Sequence, residues 1–382
     1  MSFSKKYYTI SCAIFFSVRV FSLSDHDKRI SELEKQMFEV GGYTSSGNFG
    51  AFFGQDKKNP SDWETAAELL YWQTQAGGTE YAYSVAHLQP SGASFPLTGQ
   101  VDQISFDWSL GFRIGAGRQH VVQDYDLFFM YTWYKTQAAS GHKKELPSGF
   151  LGLTGFLDPA LTTSSHYHLS YQNIDIEMGK NYYVSSRILV RSHIGLKLSR
   201  ISQKQNSSYD FNVQTGELVS FSSHLRDYSK FLGIGPRIGV NSRWYITREF
   251  SLYNQMGISL LYGYFQVKDF YNADEEKIEN SLLTTCTSEI DLTGFSHKFS
   301  PYGEMLLGLS WNRAFLQDKF VLTISLNYET LYFWRQIQKI VAEGSLRSTL
   351  SRSTFNSSRI LFERQAEDIG FRGISLKIEM DF

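Results

Sequence analysis

From about residue 43 to the end, apolar and polar residues alternate with a period of two, in run after run. In the stretch 104–115, Ile104, Phe106, Trp108, Leu110, Phe112 and Ile114 share one parity, while Ser105, Asp107, Ser109, Gly111, Arg113 and Gly115 share the other. Successive strand side chains point to opposite faces, so such a run has one apolar face and one small, polar or charged face. The pattern returns at 125–133, 174–178, 188–198, 232–240, 250–262, 305–311, 320–332 and 374–382. Most of these runs approach the roughly 9–11 residues that a tilted strand needs to cross a bilayer.

A soluble sandwich also alternates, so the polar parity has to decide. Gly233, Gly235, Arg237, Gly239 and Asn241 lie on one such face, and Arg191, His193, Gly195 and Lys197 on another. Charges and glycines of this kind fit the polar lumen of a transmembrane barrel, with the apolar parity turned to lipid. The chain carries 30 Phe, 23 Tyr and 7 Trp, 16% aromatic in all, yet its mean hydropathy is −0.28. That combination excludes membrane helices, which need about 18 consecutive apolar residues. Trp63, Trp72, Trp133, Trp244, Trp311 and Trp334 fall near run ends, as aromatic girdles would. A net charge of −1 argues against nucleic acid as a partner.

The amino terminus reads as an address. Lys5 and Lys6 precede a short apolar stretch, Ile10–Val18, and Ser22-Leu23-Ser24 offers the small residues of a cleavage site. The spacing predicts a signal peptide over 1–24, whose removal takes Cys12 and leaves Cys286 alone, so no intrachain disulfide forms. Ile30, Leu33, Met37 and Val40 at heptad spacing predict a short periplasmic helix or linker over 25–42. The barrel then occupies 43–382.

Connections alternate in length. The short ones are 75–78, 117–123, 180–186, 243–248 and 313–318; the long ones are 89–102, 136–165, 201–227, 265–298 and 335–368. Short turns belong to the periplasmic side and long loops to the outside. Eleven strands follow from these links, and an even count needs one more before residue 63, for which Gly47-Asn-Phe-Gly-Ala-Phe-Phe-Gly stands. The expectation is an all-β antiparallel transmembrane barrel of about twelve strands, with ten to fourteen compatible. Ile374, Leu376, Ile378, Met380 and the final Phe382 form an alternating terminal strand closed by an aromatic residue, the assembly signal of bacterial outer-membrane barrels.

Several blocks resemble one family. Phe106-Asp-Trp-Ser-Leu-Gly-Phe-Arg-Ile-Gly-Ala-Gly, Ala67-Glu-Leu-Leu-Tyr-Trp, Asn173-Ile-Asp-Ile-Glu-Met-Gly and Gly233-Ile-Gly-Pro-Arg-Ile-Gly are similar to Legionella-type pore-forming outer-membrane proteins. That group includes the major-outer-membrane-protein-like porins of chlamydia-related bacteria. The resemblance implies a bacterial outer-membrane location and a diffusion pore, with neither catalytic residues nor a particular solute.

By facing, the pore-lining residues are Asp107, Arg113, Asp175, Glu177, Arg191, Lys197, Arg237, Glu304 and Glu329, accompanied by Asp126, His193, Lys377 and Glu379. Both signs are present, so opposed charges could bias ion passage; equally, such charges pair across strands and simply hold a barrel together. The first expectation is a porin, a water-filled channel for passive diffusion of small hydrophilic solutes and ions. The alternative is a structural barrel whose long loops act as adhesin or antigen, and the two differ in whether the lumen is open. A third, a hydrophobic-solute transporter, would use the inward residues Phe128, Met130, Leu189, Phe231 and Leu331. The histidines lack a nucleophile or metal partner at telling spacing, so neither catalysis, a metal nor a cofactor is expected. Expected partners are outer-membrane lipid and the barrel-assembly machinery, with a homo-trimer left open.

Overall fold

A computed structural model describes residues 63–87, 99–122, 125–152, 159–212, 218–279, 282–315, 320–343 and 361–382. The signal peptide, the 25–42 helix and the strand expected near Gly47 lie outside the described residues. Ten strands close an antiparallel barrel: β1 (Trp63–Ala76), β4 (Trp108–Val122), β5 (Tyr125–Lys143), β8 (Thr162–Ser185), β9 (Ile188–Phe211), β10 (Leu218–Tyr245), β11 (Phe250–Glu279), β12 (Leu282–Phe315), β13 (Phe320–Glu343) and β14 (Leu361–Asp381). Four short strands, β2 (Glu80–Val85), β3 (Gly99–Gln103), β6 (Gly149–Gly152) and β7 (Pro159–Ala160), form a separate sheet in the order β3-β2-β6-β7. The eleven strands counted in the sequence become ten because Glu80–Val85 leaves the barrel for this small sheet. An even number then closes without a strand before residue 63.

Closure is made by the two ends of the described chain. β1 pairs with β14 from Glu64↔Asp381 to Ala76↔Ile369, and the amide of Phe382 donates to the carbonyl of Trp63 at 3.0 Å. Ile374, Leu376, Ile378, Met380 and Phe382 all face outward and are exposed. So are Ile194 and Leu196 on β9, Ile234 and Ile238 on β10, and Met305, Leu307 and Leu309 on β12. Together they form the apolar belt that lipid would cover. Trp63 and Trp244 mark its short-turn edge and Trp108 and Trp334 its other edge, all exposed. Trp72 is a correction: it is fully buried and points into the lumen.

The long loops expected at 136–165, 201–227 and 265–298 are largely strand instead. β10 and β11 stay zipped from Trp244↔Leu252 to Leu218↔Lys277, and β11 and β12 from Phe250↔Trp311 to Glu279↔Leu282. A 34-residue β12 is three times longer than the membrane requires, so the wall continues far beyond the belt on the outer side. The wall is not continuous there. β13 leaves β12 after Phe333↔Tyr302, passes an irregularity between Phe333 and Ile337 where Arg335 has φ 55°, and continues paired with β14 alone. That hairpin leans across the mouth: Lys339 Nζ donates to Gln205 Oε1 at 2.8 Å and lies 3.6 Å from Asp227 on the facing wall.

Candidate functional site: the barrel lumen

A ten-stranded barrel encloses little more than the eight-stranded kind, whose interior side chains alone can fill. The inward parity fills it here in two layers.

In the membrane-embedded half the filling is ionic. Arg113 on β4 bridges Glu68 on β1 (2.5 Å) and Glu329 on β13 (3.2 Å). Arg237 on β10 lies among Glu177 (2.8 Å), Asp175 (3.7 Å) and Glu304, and Lys197 on β9 pairs with Asp175 at 2.8 Å. Arg191 joins Asp126 (2.5 Å) to Glu177 (3.3 Å), beside His193. Lys377 and Glu379 pair at 3.3 Å, with Arg243 3.7 Å from Glu379. Lys197 and Arg237 are each only 1% exposed, so water does not reach them freely. Between these groups remains a cavity of about 10 Å³ lined by Arg113, Asp175, Lys197, Glu304 and Glu329, room for roughly one water.

Above the charges the filling turns aromatic. Trp72, Tyr134, Tyr171, Phe231, Phe265, Tyr302, Phe333 and Phe371 point inward from eight different strands and form one buried cluster. Ring pairs such as Phe231–Phe265 and Tyr302–Phe333 sit 4.5 Å apart, and Tyr171–Phe371 5.1 Å. Trp72 ties the two layers together by donating from Nε1 to Glu329 at 2.9 Å. Glycine makes room for one ring: a Cβ on Gly233 or on Gly263 would overlap the side chain of Phe231. On the lumen face these glycines serve packing, a reading different from the polar one their parity suggested.

The small sheet seals the outer end. Tyr81, Ala82, Ile104, Phe106 and Phe150 join the aromatic cluster. Tyr209 on β9 donates its hydroxyl to the carbonyl of Tyr81 (2.5 Å), and Gln73 on β1 donates to the carbonyl of Phe106 (3.0 Å). Farther out, Val85 and Leu151 pack with Phe211, Phe221, Tyr271 and Ala273 from the wall. Here burial raises the carboxyl of Asp227 above the usual carboxylate range, and Lys339 opposes that shift only partly.

Of the nine pore-lining residues expected, eight converge in the ionic layer. Asp107 does not. It is exposed and precedes β4, because the face of 104–115 breaks: Ile104 and Phe106 are buried under the small sheet, while Trp108 onward faces outward. The sequence reading missed Glu68 and the aromatic layer. Ala67-Glu-Leu-Leu-Tyr-Trp carried a signal, since Glu68, Leu70 and Trp72 share the parity opposite to exposed Leu69 and Tyr71. Phe231 and Leu331, noted as inward apolar residues, do lie in the cluster.

Among solved structures the chain is similar to the outer-membrane protease OmpT of Escherichia coli, at 9% identity over 85% of this chain and 98% of that one, with a TM-score of 0.39. A Pseudomonas aeruginosa FadL homologue gives 10% identity, 87% and 95% coverage and a TM-score of 0.26. The Pseudomonas putida toluene transporter TodX gives 9%, 85%, 91% and 0.28. No curated protein matches. The model of the family described as "Legionella pneumophila major outer membrane protein precursor" matches residues 58–382. With the closed antiparallel barrel and its apolar belt, this assigns the protein to the bacterial outer membrane, and the chain belongs to the Legionella major outer membrane protein family.

Proposed function

We propose that the protein is an outer-membrane channel that is closed at rest, a porin of the narrow and gated kind. The observation that carries this reading is the makeup of the mid-membrane lumen. Its wall is lined by ionisable groups, and three of its arginines each have more than one carboxylate within reach: Arg113 has Glu68 and Glu329, Arg191 has Asp126 and Glu177, and Arg237 has Asp175, Glu177 and Glu304. Apolar residues would fill a merely structural barrel at least as stably, because desolvating ion pairs is costly. Exchange of partners within such a network opens and closes a path for small ions and polar solutes without moving the wall. The outer seal is likewise made of loop segments and not of barrel strands, so it can leave. On this reading the protein performs no chemistry, and its partners are outer-membrane lipid and the machinery that would read Ile374–Phe382.

A second reading is favoured by the filling itself. With Lys197 and Arg237 buried and the mouth sealed, the barrel would be a scaffold that displays its extended outer half as adhesin or antigen. Single-channel recording on the refolded protein separates the two. The channel reading expects rare, small, salt-proportional steps from the full chain and frequent steps once residues 80–103 are replaced by a short Gly-Ser turn. Silence from both proteins would leave the scaffold reading standing alone.

A further inference from the structure

Just above the apolar belt, the outward parity of three neighbouring strands, β9, β10 and β11, changes from apolar to cationic. The last apolar rows are marked by Trp133, Leu232 and Tyr264, with Arg200 between them. In the next rows out, Tyr228 on β10 has Lys204 on β9 and Lys268 on β11 as its direct cross-strand neighbours. Arg226 and Lys230 sit two residues before and after Tyr228 on the same strand and face. Strand spacing and rise put Lys204 and Lys268 about 10 Å apart, and Arg226 and Lys230 about 13 Å apart. Four cations therefore surround one tyrosine ring on the outer surface, at the depth where the headgroups of the outer leaflet lie.

Among the described residues, no carboxylate is ion-paired with Lys204, Arg226, Lys230 or Lys268. Asp227 and Asp269, their sequence neighbours, have the opposite parity and face the interior. The nearest outward acid, Asp291, lies opposite Phe270, whose ring Arg226 covers at 5.7 Å, and is ion-paired with none of the four cations. By contrast, Arg372, outward on β14, is engaged by Gln73. A chain of net charge −1 has thus concentrated unpaired cations at one place, beside an apolar belt and around an amphipathic ring. A ligand that fits must have two anionic groups roughly 10 Å apart and acyl chains that run down the belt.

We propose that Lys204, Arg226, Lys230 and Lys268, arranged around Tyr228, bind the phosphate groups of a phosphorylated glycolipid of the outer leaflet, whose acyl chains lie along Leu232 and Ile234. The site is independent of whether the lumen conducts.

The test uses the full folded protein in zwitterionic micelles and counts bound lipid by native mass spectrometry. The probes are a bis-phosphorylated, acylated glucosamine disaccharide, its phosphate-free form, and inorganic phosphate. Wild type should bind the bis-phosphorylated lipid. K204S/R226S/K230S/K268S should lose more than about a hundredfold in affinity, at roughly fivefold per cation. A control with four cations removed from the short-turn end, K180S/R187S/R248S/R313S, should bind as wild type does. Heat-shifted gel mobility verifies that each variant is folded. Equal binding by the patch variant and wild type would overturn the proposal. So would equal binding of the phosphate-free lipid, which would make the contact merely apolar, or displacement of the lipid by inorganic phosphate at equal concentration, which would make it a free-phosphate site.

Discussion

The two halves of the barrel wall use the same alternation with opposite sense. Along β9, Ile194, Leu196 and Leu198 point out to lipid while His193, Lys197 and Ser199 point in. A few residues later Ile201, Tyr209 and Phe211 are buried inside, and Lys204, Asn206 and Ser208 are on the outside. β11 makes the same switch between Tyr262, exposed, and Phe265, buried. The strand does not change; its solvent does. Within the bilayer the outside is hydrocarbon and the charges gather inside as mutual partners, whereas beyond it the outside is water and the interior becomes an ordinary apolar core. The lesson is that a strand's parity reports which side is wet, and a change of phase along one strand reports where the membrane stops.

The largest expected effect breaks the inner layer. Arg237→Ala leaves Asp175, Glu177 and Glu304 without their shared cation, and removing one partner of a buried network costs about 3–5 kcal/mol. Urea unfolding in lipid vesicles, followed by tryptophan fluorescence, measures it. Phe231→Ala is the matching cut in the aromatic layer, at about 3 kcal/mol, with the loss confined to the outer half in hydrogen exchange.

The comparison is sharpened by placing one side chain on the outward face at two heights. Ile194→Lys in the belt should cost about 2–4 kcal/mol. Ser208→Lys on the same strand, beyond the belt, should stay within about 0.5 kcal/mol. Equal costs would mean that the belt has been drawn at the wrong height. Gly233→Ala tests the packing role of the lumen glycines and should cost about 1–3 kcal/mol through overlap with Phe231; Phe231→Leu in the same chain should recover part of it.

The smallest effect concerns pH. Burial holds the carboxyl of Asp227 above its usual range, so the folded state favours the protonated acid. That stabilisation is present at low pH and is lost as pH rises through the raised value. Amide protection in the outer part of β10 should therefore fall as pH rises above the ordinary carboxylate range, and Asp227→Asn should flatten the dependence.

Much of this architecture is legible in the sequence because alternation is a local property. The belt strands, their facing, the terminal strand ending at Phe382 and eight of the nine lumen charges all follow from parity. What parity hides is long-range. The segments 201–227 and 265–298 lack the lipid-facing apolar residues by which belt strands are recognised, so they read as loops, although Ile201, Phe211, Phe265, Val267 and Tyr271 keep period two in the inverted phase. The small sheet escapes because Glu80–Val85 alternates as well as any barrel strand does, and its place is decided by Tyr209 and Gln205 on a distant strand. Whether inward charges leave an open lumen depends on the strand number, and ten rather than twelve narrows it to what paired side chains can fill.

The most direct test of a doubly sealed lumen is single-channel conductance in a planar bilayer, comparing the full chain with the protein whose residues 80–103 are replaced by a short turn. The account predicts a full-length protein that is closed for most of the recording, with brief small steps, and a seal-free protein that opens often, with conductance proportional to salt. A full-length protein that stands steadily open with large steps would contradict the seal, and a seal-free protein that never opens would contradict the channel.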